Sequence, residues 1–316
     1  MSYSRAVSFF GPVLVFCAAA LWATDAPFRS QLTQGLSSNF IVLVEHGISL
    51  FIAIPILILS WRDVRKLSRR EWAAVLAIAI GGSALASIAF TQSFHYVNPS
   101  VSILLQKVQP LIAIVLAVAL LGERMHKNFW FWAVTALVGA YFVSFPDLKP
   151  QLYDGEAFNP NTIGVLLALS AAGLWGASTV LGKYVLRTAA FQTLTALRFS
   201  IAFIFLFMLA VQQNSIPALS SVTTKDWVYL TIVALTSGVF SLSLYYYGLQ
   251  YTRASIATLA ELGFPLAAVF VNAHFIASAP VEGAFWGLVT AQWIGTALLL
   301  CALVMLTRVN QETENP

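Results

Sequence analysis

The chain alternates between long apolar runs and short polar loops, and this alternation commits it to a lipid environment. Hydrocarbon offers no partner to backbone N–H and C=O groups, so a run that crosses a bilayer must satisfy its own backbone as a helix. A crossing takes about 20 mostly apolar residues. Ten such runs are read at 8–28, 38–60, 71–96, 99–121, 128–146, 161–185, 190–212, 225–250, 254–276 and 283–306. Only 9% of the 316 residues are charged and 59% are hydrophobic, too few charges to cover a water-facing surface. The expected fold class is therefore an all-α membrane protein of ten transmembrane helices.

Lys and Arg set the expected orientation, because cytoplasmic loops are enriched in them. Arg5, Arg62, Arg65, Lys66, Arg69, Arg70, Arg124, Lys127, Lys183, Arg187, Arg253 and Arg308 all fall on one side, and only Arg29, Lys149 and Lys225 on the other. Both termini are thus expected in the cytoplasm, with the chain a multi-pass protein of the cell (inner) membrane. The basic residues form no patch that would serve nucleic acid. Cys17 and Cys301 lie in apolar runs, so neither a disulfide framework nor a thiolate metal site is expected. The first apolar run, with no cleavage-like site after it, reads as a retained helix.

The two halves resemble each other. Gly11, Ala18, Leu21 and Trp22 recur as Gly164, Ala171, Leu174 and Trp175, and Tyr96, Ser100 and Pro110 recur as Tyr251, Ser255 and Pro265. Residues 1–150 and 151–316 are accordingly read as two five-helix repeats, joined by the polar stretch 147–160. An odd helix number per repeat inverts the second in the membrane. Secondary transporters are built this way, with their sites near the midplane between the repeats.

The stretch Gln109–Met125, QPLIAIVLAVALLGERM, resembles the signature of the EamA-type branch of the drug/metabolite transporter superfamily. Ala196–Phe203, ALRFSIAF, looks like that family's Arg-bearing second helix of a half. The resemblance covers essentially the whole chain. It implies ten helices in which 3, 4, 8 and 9 line a central cavity, 1, 2, 6 and 7 assist, and 5 and 10 are peripheral. The chain departs from strict symmetry where Glu45 corresponds to Arg198 and Glu123 to Ser278.

Ionisable groups within spanning helices cost about 2.5–3.5 kcal/mol each and by default mark function. Here they are Asp25, Glu45, Lys107, Arg198 and Glu261, with His46, His95 and His274. Glu45 and Lys107 lie at similar depth from one side, Arg198 and Glu261 from the other, which suggests two ion pairs, Glu45–Lys107 and Arg198–Glu261. These pairs would either gate and bind substrate or fix helix packing. Pro110 and Pro265 are expected to kink their helices and to leave the carbonyls of Gln106 and Glu261 without their usual donors. Gln92, Gln106, Gln109 and Thr258 are candidate lining residues, and Trp22, Trp175 and Tyr96 candidate aromatic walls. Asp25 and His95 could relay protons; a helix cap and a packing contact are the alternatives. Glu123 reads as a helix-end group.

The reading that follows is a secondary-active transporter. It would move a small amphipathic or zwitterionic, amino-acid-like metabolite by alternating access, with export as the direction the resemblance implies. A multidrug or organic-cation exporter is the alternative; a membrane-embedded enzyme or a channel ranks below both. No nucleophile cluster, metal site or P-loop is present, so neither catalysis nor a cofactor is expected. The expected partners are the substrate, the bilayer and either protons or a counter-substrate, in a monomer or weak homodimer.

Overall fold

A computed structural model describes residues 3–32, 34–93, 96, 105–125, 127–144, 162–217, 221–271 and 290–314. The linker 147–160, His95, His274 and Ser278 lie outside these residues. Every regular element among the described residues is helical. Helix α1 spans Tyr3–Trp22 and continues through a 3-10 turn, Ala23–Asp25, into α2, Ala26–Leu32. Then come α3 (Ser38–Leu59), the short α4 (Trp61–Val64), and α5 (Arg69–Leu76), which runs through a π-helical stretch, Ala77–Leu85, into α6 (Ala86–Ser93). Helices α7 (Gln109–Leu121) and α8 (Phe129–Ser144) complete the first half. The second half holds α9 (Thr162–Val185), α10 (Phe191–Gln212) and α11 (Thr224–Val233), which passes through a π-helical stretch, Ala234–Phe240, into α12 (Ser241–Gln250). Helices α13 (Ala254–Ala260), α14 (Gly263–Val271) and α15 (Thr290–Glu314) follow.

Among the described residues, seven helices are long and apolar enough to cross a membrane, and three further apolar helices, Gln109–Leu121, Phe129–Val143 and Ala254–Ala268, are shorter. The chain is a multi-pass membrane protein. Its outward faces agree: Phe51, Ile58 and Leu59 on α3, Phe131 on α8 and Met208 on α10 are mostly exposed, which suits lipid and not water.

The helix starts show how local chemistry recurs in the two halves. Ser68 and Glu71 form a reciprocal capping box at α5, with Ser68 N donating to Glu71 Oε2 at 2.7 Å. Thr223 and Asp226 do the same 155 positions later at α11, with Thr223 N donating to Asp226 Oδ2 at 3.0 Å. Such boxes satisfy backbone donors that would otherwise face the membrane interface unpaired. Each of these helices then widens into its π-helical stretch.

Packing runs mainly between halves. α3 lies against α10, α1 against α12, α9 against α6 and α7, and α8 against α15. Without a hydrophobic force between helices in lipid, close backbone approach at small residues holds them together. On α8 and α15 this falls to Gly139 and Gly295: a Cβ on Gly295 would stand 2.7 Å from the Gly139 carbonyl oxygen and 2.8 Å from Val143 N. Backbone cannot yield to it locally. Gly295→Val is therefore expected to separate α8 from α15, at a cost of about 1–3 kcal/mol. A lower midpoint in thermal unfolding of the detergent-solubilised protein checks this; an unchanged midpoint would contradict the contact.

Candidate transport site

The site is built on two interrupted helices. Before α7, Lys107 and Val108 form a turn, and Val108 N donates to Leu105 O at 3.1 Å. Pro110 lacks an N–H, so the Gln106 carbonyl has no donor four residues on, and the helix restarts at Gln109. Between α13 and α14, Glu261 and Leu262 form the matching turn. Pro265 again removes the donor, and the Glu261 carbonyl takes Phe264 N, three residues on, at 3.0 Å. Each break holds the charged residue of its helix, Lys107 in one and Glu261 in the other.

The two breaks face each other. Gln109 Nε2 donates to Glu261 Oε2 at 2.6 Å. Lys107 Nζ lies 5.9 Å from the centre of the Phe264 ring and makes no hydrogen bond or ion pair among the described residues. The other oxygen of Glu261 accepts from Tyr245 OH at 2.8 Å and from Thr179 Oγ1 at 3.0 Å, and those two hydroxyls are themselves 2.8 Å apart. Two buried polar atoms on these same helix segments have no partner among the described residues, Gln106 Oε1 and Thr258 Oγ1. A buried polar group left unpaired is costly, so these two mark where a polar ligand would find uncommitted hydrogen-bonding capacity.

Aromatic rings extend from this polar centre. Trp22 packs on Tyr245 with centroids 5.2 Å apart, Tyr245 on Tyr246 at 5.4 Å, and Phe90 on Trp175 at 5.2 Å. The Tyr246 hydroxyl accepts from Arg198 Nη1 at 2.8 Å. Arg198 also donates to Ser83 Oγ and to Gly82 O, and Trp175 Nε1 donates to that same carbonyl at 3.0 Å. Gly82 and Ser83 lie in the first π-helical stretch. There the ladder runs five residues instead of four, and the Gly82 carbonyl takes two side-chain donors from other helices.

The two expected ion pairs do not form. Glu45 is held by Arg29, whose Nη2 stands 3.0 Å from Glu45 Oε1 and 2.9 Å from Asp25 Oδ2. Arg29 lies one helical turn beyond Asp25 and reaches both carboxylates with one planar fork. Ser237 adds a hydrogen bond to Asp25 at 3.3 Å. Asp25 is thus tied into a cluster of two acids and one base. Arg198 and Glu261 do not touch; the adjacent tyrosines 246 and 245 stand between them, one bonded to each. Gln92 is half-buried on α6, and Tyr96 is exposed in the turn after it. The hollow of about 240 Å³ lined by Gly35, Ser37, Asn214 and Pro217 shares no residue with these groups.

Glu123 plays the helix-end part expected of it, in an unexpected place. The last turn of α7 closes on Gly122 in the left-handed conformation (φ 67°), and Glu123 then reaches the start of α13. It accepts from Ala254 N at 2.7 Å, Ser255 N at 3.1 Å and Ser255 Oγ at 2.5 Å, with Arg253 Nε 3.7 Å away. Arg253, the residue before α13, offers no side-chain cap, so a carboxylate from another helix supplies it, where the helix dipole favours an anion.

The sequence profile of the EamA-like transporter family matches residues 9–145 and again 162–308. The chain is 28% identical over 314 residues to a protein named riboflavin transporter ImpX from Fusobacterium nucleatum, covering 95% of this chain and 98% of that one. An uncharacterized transporter of Bacillus subtilis, YwfM, is 26% identical over 198 residues, 63% of this chain and 60% of its own. A solved crystal structure, 15% identical, superposes with a TM-score of 0.75 over 96% of this chain and 99% of that one, which shows a shared fold. The fold and these matches define a membrane transporter, not an enzyme. The chain belongs to the EamA-like transporter family.

The Arg29 cluster yields a test. Arg29→Met leaves two part-buried carboxylates without their cation; removing one partner of a fully buried pair costs about 3–5 kcal/mol, and this cluster should lose a part of that. The thermal midpoint should fall clearly, and combining the change with Glu45→Gln should restore much of the loss. Equal midpoints for the single and double variants would rule out the cluster as drawn.

Proposed function

We propose that this protein is a carrier for a small, planar, amphipathic metabolite of the riboflavin type, bound between the breaks at Lys107 and Glu261. One observation carries the reading: an uncommitted ammonium and a hydrogen-bonded carboxylate lie on facing broken helices beside the ring pairs Trp22–Tyr245 and Phe90–Trp175. A flavin-like ring needs flat apolar walls. Its carbonyl and N–H edge needs a donor and an acceptor, which Lys107 and Glu261 provide. The near-full-length similarity to a protein named a riboflavin transporter supports the same chemistry.

The architecture proposed with it is two inverted five-helix repeats, ten helices in all, working by alternating access with both termini in the cytoplasm. Its support is the recurrence of features about 155 residues apart: the two capping boxes, the two π-helical stretches and the two proline-linked breaks. The two matches to the family profile, one in each half, agree with it. In this arrangement the Glu123 cap at α13 lies toward the cytoplasmic side.

The opposite charges of Lys107 and Glu261 favour a second reading, an exporter of zwitterionic amino-acid-like metabolites. Transport into proteoliposomes separates the two. The flavin reading predicts exchange of internal for external riboflavin, unaffected by excess amino acids and lowered at least tenfold by Trp22→Ala. Inhibition by amino acids with no riboflavin exchange would favour the second reading.

A further inference from the structure

We propose that Glu261 is the proton-binding site through which transport is coupled to a pH gradient. The inference rests on the carrier reading above and adds the coupling ion to the same site. The first argument is what surrounds each acid. Asp25 and Glu45 share Arg29, and Glu123 has Arg253 and a helix N-terminus. Glu261, set in a helix break, accepts hydrogen bonds from three neutral groups only, and no basic atom lies within 4.0 Å of it among the described residues.

The groups that face it are few. Helix α7 and the turn before it bring Gln109 and Lys107, with Lys107 over the Phe264 ring. Helix α9 brings Thr179, and also Lys183, which bonds to the carbonyls of Leu249 and Gln250. Helix α10 brings Arg198, screened by Tyr246, and α12 brings Tyr245 itself. From α1 and its 3-10 turn come Trp22, packed on Tyr245, and Asp25, already bound to Arg29; Cys17 on α1 is exposed.

The second argument is the hydrogen-bond count. Glu261 Oε1, Thr179 Oγ1 and Tyr245 OH form a triangle with sides of 2.8, 2.8 and 3.0 Å. As a carboxylate, Glu261 accepts one hydrogen bond from each hydroxyl, and the Thr179–Tyr245 side then holds no proton. With a proton on Oε1, three hydroxyl protons circulate around three oxygens, and every side of the triangle carries one. The same atoms in the same places thus serve both charge states, so taking up or releasing the proton needs no rearrangement of the site. The step is simple in balance: the carboxylate binds one proton from one side of the membrane and gives it up to the other, with no other bond made or broken.

The experiment uses full-length protein in proteoliposomes with an imposed pH difference. For one proton per substrate, riboflavin should accumulate about tenfold per unit of pH difference, and the sign of the effective gradient reads symport or antiport. Normalised to each protein's own exchange rate, this response should vanish in Glu261→Gln and persist in Glu45→Gln. A response retained in Glu261→Gln, or wild-type exchange indifferent to the gradient, would overturn the proposal. Should the wild type exchange no riboflavin, the substrate reading falls and an infrared measurement decides the proton site. Difference spectra between acid and alkaline buffer should show a protonated-carboxyl band that Glu261→Gln removes. A band that survives that substitution, or no band in the wild type, overturns the proton site.

Discussion

An amide group facing lipid cannot turn to water, so every interruption of a spanning helix must be answered by side chains of other helices. Most of what is distinctive here answers that requirement. The proline-linked breaks before α7 and between α13 and α14 free backbone groups in the middle of the protein. Around the second break, the freed Glu261 carbonyl takes Phe264 N, while Gln109, Thr179 and Tyr245 converge on the Glu261 carboxylate. The π-helical stretch Ala77–Leu85 presents the Gly82 carbonyl, which Trp175 and Arg198 occupy. The cap that Glu123 lends to α13 is the same solution at a helix end.

These answers also set the electrostatics. Of the charges in spanning helices, Asp25 and Glu45 share Arg29 in a compact group that reads as packing. Arg198 spends its donors on a hydroxyl, a serine and a carbonyl. What remains for function is the pair of breaks: an ammonium over an aromatic ring with no ionic partner among the described residues, and a carboxylate with neutral donors. Charge at membrane depth is costly, and leaving those two groups without ionic partners is the price of a site able to accept a polar molecule.

The sequence carried the axial information well and the lateral information poorly. Long apolar runs, Ser68-x-x-Glu71 and Thr223-x-x-Asp226, and Pro110 and Pro265 locate helices, starts and breaks because each is a local backbone effect. Depth along the helices suggested Glu45 with Lys107 and Arg198 with Glu261. Depth does not fix which face of a helix meets which neighbour, and both pairings failed. Arg29 enters the sequence reading only as a topology charge, although its spacing of four from Asp25 is a recognisable ion-pair signal. Tyr245, Tyr246 and Thr179 carry no distinctive signal in the sequence, since aromatic and small polar residues are ordinary along spanning helices; their hydrogen bonds to Glu261 and Arg198 identify them.

The central claim is that the facing breaks form the substrate site, and substrate protection of engineered thiols tests it most directly. In a background with Cys17 and Cys301 replaced by serine, Gln106→Cys and Thr258→Cys place single thiols at the two unpartnered polar positions flanking the Gln109–Glu261 contact. The account predicts that riboflavin slows alkylation of both thiols, and that a control cysteine at the lipid-facing Phe51 is alkylated at the same rate with and without it. Equal alkylation of Gln106→Cys and Thr258→Cys with and without riboflavin, in protein that still exchanges it, would place the site elsewhere.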